Sequence, residues 1–203
     1  MHEQTLYPKT KRTLEIIEDN TLLDSFYLAG GTALALQLGH RKSVDLDFFT
    51  AEFPDNEQLI QELQTYKPSV TQNTKGTVDV LINETKVSFL RYQYPMLENT
   101  IKYNDIQLAH VKDIACMKIS AISSRGSKKD FADLYYILEI YPLEELISFF
   151  EKKYKGVKPN MLHTIKALTF FGEAEDEPDP EYTHSITWEK IKRRITTESK
   201  NLL

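Results

Sequence analysis

The chain predicts an α+β fold, a small mixed β-sheet followed by a helical bundle, on three observations. Thr77 to Ile82 and Lys86 to Tyr92 alternate apolar and polar residues on either side of Asn83-Glu84, the pattern of a hairpin. Val44 to Phe49 is a short apolar run of the kind a central strand carries. From Val111 onward helical spacing takes over. These observations divide the chain into an α/β core over residues 1–110 and a helical region over 111–203, with the active site expected in the cleft between them.

The elements follow in order. Residues 9–24 carry Leu14, Ile16, Ile17, Leu22 and Leu23 at loosely helical spacing, which predicts an opening helix. Phe26 to Ala29 reads as a short buried strand. Thr32 to Leu38 is rich in Ala and Leu, good helix formers, and Gly39 is placed to end that helix. Asp55 to Tyr66 has Leu59, Ile60 and Leu63 on one helical face. Beyond the hairpin, one helix is expected to about Ser124 and another from Lys129 to Ile140. Pro142 can open a third at its first turn, and Pro159 a fourth ending near Phe171. Gly172 to Pro180, GEAEDEPDP, is acidic and proline-containing with almost nothing to bury, so it reads as a linker or exposed loop. Trp188, Ile191 and Ile195 then form one apolar stripe among Lys190, Lys192, Arg193 and Arg194. That final helix either packs back on the bundle or touches RNA phosphates.

Bulk properties narrow the class. A length of 203 residues suits one substantial core with a helical extension. Hydrophobic content of 41% with 27% charged residues is that of an ordinary soluble protein. No apolar run approaches the roughly 20 residues that span a bilayer, and the N-terminus lacks a signal-peptide layout. Cys116 is the one cysteine, which rules out an internal disulfide and a cysteine-based zinc cluster. A cytoplasmic protein with no membrane partner is expected. The net charge of −5 argues against a general nucleic-acid coat but leaves room for local basic patches, such as Lys9 to Arg12, Arg41-Lys42 and Lys192 to Arg194.

The chemistry concentrates in Leu28-Ala29-Gly30-Gly31-Thr32 and, a short gap later, Asp45-Leu46-Asp47-Phe48-Phe49. On a strand Asp45 and Asp47 share one face while Leu46 and Phe48 face the core. Two such carboxylates repel unless a cation lies between them. Mg²⁺ suits the position because it takes hard oxygen ligands together with substrate phosphates. Glycines allow close backbone approach, and amides at a helix start are a ready anion site. The parts describe a cradle for a metal and a triphosphate. Thr32 also reads simply as a helix N-cap.

GGTALALQLGHRKSVDLDFF resembles the nucleotidyltransferase toxins of the AbiEii/AbiGii family, within the DNA polymerase β-like nucleotidyltransferase superfamily. A second block agrees: Asp113-Ile-Ala-Cys-Met-Lys118, then Arg125 and Lys129-Asp130-Phe-Ala-Asp133-Leu134. The resemblance covers about residues 25–140. It implies a nucleotidyltransferase core and a Mg²⁺-dependent enzyme that moves NMP from NTP to a hydroxyl acceptor. Asp45 and Asp47 would hold the metal. Gly30, Gly31, Thr32, Arg125, Lys129 and Asp133 would be binding residues, and Lys118 and Asp130 would join the two aspartates in catalysis. It further implies the toxin of a toxin–antitoxin or phage-defence pair with a cognate antitoxin. The 3′ end of tRNA is then the implied acceptor, with a protein as the other option. Bland readings stand beside these: a snorkelling surface lysine for Lys118, a first-turn dipole acid for Asp130, a helix cap for Arg125.

One departure counts against the match. Many superfamily members carry a third carboxylate on a later strand, acting as base, and here Ser88 holds the matching place. If Asn83-Glu84 is a two-residue turn, Ile82 pairs with Thr85 and Asp79 lies opposite Ser88 on the same face. Asp79 would then be the substitute base. Two rival readings are a nucleotide-binding module that has lost catalysis, and a glycosyltransferase using Asp-x-Asp. Too few residues precede Asp45 for the usual nucleotide-sugar fold, which weakens the second.

Overall fold

The computed structural model describes residues 1–202. The chain divides into two compact units, one of Met1–Tyr94 with Asn99–His110 and one of Pro95–Glu98 with the chain from Val111 onward.

Among the described residues the first unit holds a seven-stranded mixed sheet. Its strands are β1 (Tyr27–Leu28), β2 (Leu46–Thr50), β3 (Ser69–Thr74), β4 (Thr77–Ile82), β5 (Thr85–Arg91), β6 (Ile101–Tyr103) and β7 (Ile106–Leu108), in the order β3-β4-β5-β2-β1-β7-β6. The apolar run around Leu46 and Phe48 does lie at the sheet's centre, between a parallel neighbour, β5, and an antiparallel one, β1. Burial alternates along β2 as a pleated strand requires: Leu46, Phe48 and Thr50 are buried, while Asp47 and Phe49 are half-buried. Phe48 stacks on Phe89 of β5 at 5.6 Å between ring centroids, and Phe26 meets Phe89 edge-on at 5.3 Å. Each such pair adds about 0.5–1.5 kcal/mol beyond the area it buries.

Asn83 and Glu84 both take positive φ, 48° and 61°, as a two-residue hairpin turn of the twist-matched type demands. The resulting register is Ile82↔Thr85, Val80↔Val87 and Asp79↔Ser88. Three strands were not expected from the sequence. β3 is a polar edge strand, exposed along its whole length, so it carries no alternation to read. β6 and β7 are three residues each, joined at Asn104, whose φ of 49° marks the turn.

Three α-helices are described in this unit: α1 (Pro8–Ile17), α2 (Gly30–Leu38) and α3 (Asn56–Glu62), the last extended by a 3₁₀ turn, Leu63–Tyr66, with a further 3₁₀ turn at Thr21–Ser25 following α1. The single helix expected over residues 9–24 thus breaks, because Asn20 caps the second segment through Leu22 N–H. Gly39 ends α2 in the left-handed conformation, φ 70°. Val44, counted among the apolar strand residues, is exposed ahead of β2.

The second unit is helical: α4 (Val111–Ser124), α5 (Lys128–Ile137), α6 (Leu143–Lys153), α7 (Met161–Ala167), α8 (Gly172–Glu175) and α9 (Trp188–Lys200). Pro142 is the N-cap of α6 rather than its first residue. A fully buried ion pair, Lys153 Nζ to Asp113 Oδ1 at 2.6 Å, ties α6 to α4. Asp113 also accepts Leu97 N–H and Glu98 N–H, and Lys153 donates to Pro95 O, so Pro95–Glu98 is clamped onto this unit. Cys116 is buried and its thiol is pushed up to about 12 by desolvation, which removes it from thiolate chemistry.

The acidic stretch after Gly172 is not a free linker. Ala174 is fully buried, Glu175 accepts Trp188 Nε1–H and Lys192, and Glu177 accepts Lys128 N–H. Trp188, Ile191 and Ile195 are buried, with Trp188 edge-on to both Phe131 and Phe171. The acids were misread because their partners lie outside the segment. The tail packs as core of its unit, so truncation at Gly172 should yield insoluble protein. Ile195→Ala should cost about 2–5 kcal/mol, read as a lower urea midpoint.

Candidate active site

In the first unit the site grows from one row of the sheet. Asp47 of β2 pairs with Ser88 of β5, and Ser88 pairs with Asp79 of β4. Directly paired residues point to the same side, so the three side chains line up across adjacent strands. Asp45 lies two residues before Asp47, just ahead of β2. Ser88 and Asp79 are buried; Asp45 and Asp47 are half-buried.

The glycine turn packs on this row. Gly30 has φ 64°, a conformation that disfavours side chains, and a Cβ there would come within 2.8 Å of Asp47 Oδ2. A Cβ on Gly31 would come within 2.2 Å of the Arg41 guanidinium. Asp47 thus reaches the start of α2 and a buried arginine reaches the residue beside it. Ala29, not Thr32, is the N-cap of α2. Thr32 sits inside the first turn, buried, and its hydroxyl donates to Asp45 O and contacts Ser43 Oγ at 2.8 Å. It ties the helix to the chain entering β2.

Two cations of this unit escaped the sequence reading. Arg41 appeared only as part of an exposed basic pair, but it is buried and donates to Lys42 O. Lys86, two residues before Ser88, forms a 2.9 Å ion pair with Asp79 Oδ2. The hydrogen bond to Asp79 is the main cause that raises the Lys86 pKa, helped by the charges of Asp47 and Asp45. Alternation along β5 could have placed Lys86 on the face of Ser88; nothing local signals Arg41. His40, next to Arg41 in the chain, is buried as well.

The second unit gathers Lys118, Asp130 and Asp133. Lys118 Nζ lies 2.8 Å from Asp130 Oδ1 and 2.7 Å from Asp133 Oδ2, all three side chains being nearly inaccessible. Ser127 Oγ donates to Asp130 Oδ2 at 2.6 Å. Burial alone would raise the Asp130 carboxyl, but the Lys118 charge and the hydrogen bonds from Lys118 and Ser127 outweigh it and hold the pKa below the ordinary range. Lys118 is therefore not a snorkelling surface lysine. Lys129 is exposed beside the buried Lys128, and Arg125 is exposed at the end of α4.

Among the described residues no group of three or more His, Cys, Asp or Glu is set to hold a metal by itself. Asp45 and Asp47 nevertheless fit Mg²⁺, which is bound by one or two carboxylates while phosphates and water fill its other positions. Their donor set is all oxygen.

The family model described as nucleotidyl transferase AbiEii toxin, type IV toxin–antitoxin system, matches residues 12–103 and 71–201. A protein of Aquifex aeolicus (strain VF5) is 40% identical over 207 residues, covering 98% of each chain. The solved structure of MenT4, a nucleotidyltransferase toxin of Mycobacterium tuberculosis H37Rv, is similar with TM-score 0.57 and 15% identity, over 100% of this chain and 88% of that one. A Helicobacter pylori protein, JHP933, has TM-score 0.53 and 15% identity, over 99% and 90% of the two chains. The antibiotic-resistance factor ANT(2″)-Ia gives 0.53 and 13%, over 76% and 99%. At these identities the solved structures speak to the fold.

Two outcomes are expected. Lys118→Ala leaves two buried carboxylates facing each other and should destabilise the protein by about 3–5 kcal/mol in urea denaturation. Because the Asp130 pKa is lowered on folding, its stabilisation is present above the unfolded-state carboxylate value, roughly 4. It is lost as pH falls through the lower folded value. Asp130→Asn should accordingly flatten the fall in stability below about pH 4, measured by urea midpoints across pH.

Proposed function

The chain belongs to the AbiEii nucleotidyltransferase toxin family, and from that premise we propose that this enzyme moves NMP from an NTP to a hydroxyl acceptor in a Mg²⁺-dependent reaction. The observation that carries the proposal is the Asp45-x-Asp47 pair at the central strand, packed against the Gly30-Gly31 turn at the start of α2. Asp45 and Asp47 would hold Mg²⁺, which when bound supplies Lewis-acid stabilisation of charge on the phosphates. The α2 amides beside Gly30 and Gly31 bind and orient the triphosphate. Thr32 holds α2 against the Asp45 main chain and so keeps that turn over the carboxylates. Arg41, buried against Gly31, would add a positive charge beside that turn. In the second unit Lys118 is held by Asp130 and Asp133, and a phosphate role for it rests on the family resemblance alone.

The acceptor oxygen attacks the α-phosphorus, the bond to the bridging oxygen breaks, and pyrophosphate leaves. The acceptor's proton goes to Asp79, the carboxylate that stands opposite Ser88 in the row. Lys86 orients Asp79 through its ion pair. A carboxylate in the row favours a working enzyme over a module that has lost its base. The acceptor we propose is the 3′ end of tRNA, in a cytoplasmic toxin held in check by a cognate antitoxin.

The test is incubation with each α-labelled NTP, Mg²⁺ and total tRNA, following label into RNA and into protein. Label in RNA supports the proposal, label in protein moves the acceptor to a protein hydroxyl, and NTP binding without transfer supports the impaired module. Asp45→Ala or Asp47→Ala should lower transfer at least about a hundredfold, as should chelation of the metal. Full activity in both variants would falsify the metal assignment. Asp79→Asn should lower kcat by about a hundredfold or more with NTP affinity kept, since general-base catalysis contributes ~10²–10⁴-fold; an unchanged kcat assigns the proton elsewhere.

A further inference from the structure

Within the helical unit, the end of α4, α7 and the chain entering α8 enclose a pocket of about 420 Å³, inside the range of small-molecule sites. Its lining brings together Arg125, His163, Lys166 and Phe170, with Glu173 as the acid among the lining residues. From Lys152 to Gly172 the sequence contains no Asp or Glu, while lysine recurs at 152, 153, 155, 158 and 166. In a chain of net charge −5, this is an electropositive segment. Arg125 and Lys166 form no ion pair within the described residues, in contrast to Lys118, Lys153 and Lys192, which each hold a carboxylate.

Phe170 is the most exposed of the large hydrophobic side chains among the described residues, at 67%. Its ring lies against Gly172, where a Cβ would meet Phe170 Cζ at 2.9 Å. Gly172 thus allows the ring to rest on main chain while the ring lines the pocket. An aromatic ring backed on one side and open on the other is a stacking platform for a base, and unpaired cations nearby suit the phosphate attached to it.

We propose that this pocket binds one nucleotide unit of a single-stranded RNA, its base on Phe170 and its phosphates on Arg125 and Lys166. The inference deepens the reading above by giving the RNA acceptor a holding site distinct from the Asp45–Asp47 row. A strand, rather than a free nucleotide, fits the basic segment that continues past the pocket at Lys155 and Lys158, both exposed.

The test is fluorescence anisotropy with a fluorescein-labelled, unstructured RNA of about ten nucleotides, read without NTP or metal so that failure of transfer chemistry cannot affect it. Wild-type protein should bind. Phe170→Ala should weaken binding by about tenfold or more, the loss of one stacked base. Lys166→Gln should reduce the slope of log affinity against log salt by ~0.7, one phosphate contact on a single strand. Both side chains are exposed, so melting temperatures should hold. ATP should compete only at concentrations far above the RNA affinity. Absence of RNA binding, binding indifferent to both variants, or displacement by equimolar ATP would each overturn the proposal, the last in favour of a free-nucleotide site.

Discussion

Burying a charge without a partner costs several kcal/mol, and that constraint organises both units of this protein. In the helical unit it appears twice. Asp113 and Lys153 are wholly inaccessible and satisfied by each other, two amides and a carbonyl. Lys118 is shared between Asp130 and Asp133, with Ser127 supplying a further donor. Each pair fixes the helices that carry it in one register, because slipping by a residue would strand a charge in the core. In the sheet unit Lys86 answers Asp79. Asp45 and Asp47 lie at half-buried positions instead.

The sheet turns this electrostatic requirement into geometry. Parallel pairing of β2 with β5 sets Asp47 beside Ser88, and the hairpin turn at Asn83-Glu84 sets Ser88 beside Asp79. A change of one residue in that turn would send Asp79 to the opposite face. Asp79 therefore stands on the neighbouring strand at the same level of the sheet as Ser88. The positive φ of two non-glycine residues is the local strain that holds the register.

Within the helical unit, aromatic packing and ion pairs divide the work. Phe131, Phe171 and Trp188 hold α5, the start of α8 and α9 together, and the acids of the intervening segment bind Lys128, Lys192 and the Trp188 ring nitrogen. Two of the five cations of α9 are held in this way: Lys192 by Glu175, and Arg194 by Glu198 and Leu138 O. Arg125 and Lys166, in the lining of the pocket, form no ion pair among the described residues.

By itself the sequence determined what depends on local pattern. Alternation identified β4 and β5, an apolar run identified β2, Ala- and Leu-rich spacing identified α2, and the Gly-Gly turn with Asp-x-Asp marked the candidate site. The two-residue turn even determined that Asp79 would oppose Ser88, since hairpin register follows from loop length. Only the tertiary structure decided what lies across distance in the chain. β3 pairs as a polar edge, GEAEDEPDP is docked through residues far from it, and Arg41 is buried against Gly31. Lys118 could be read as a snorkelling side chain until Asp130 and Asp133 were seen to enclose it. Periodicity records which way a side chain points; what it meets there is set by packing, and a charge's role is set by what it meets.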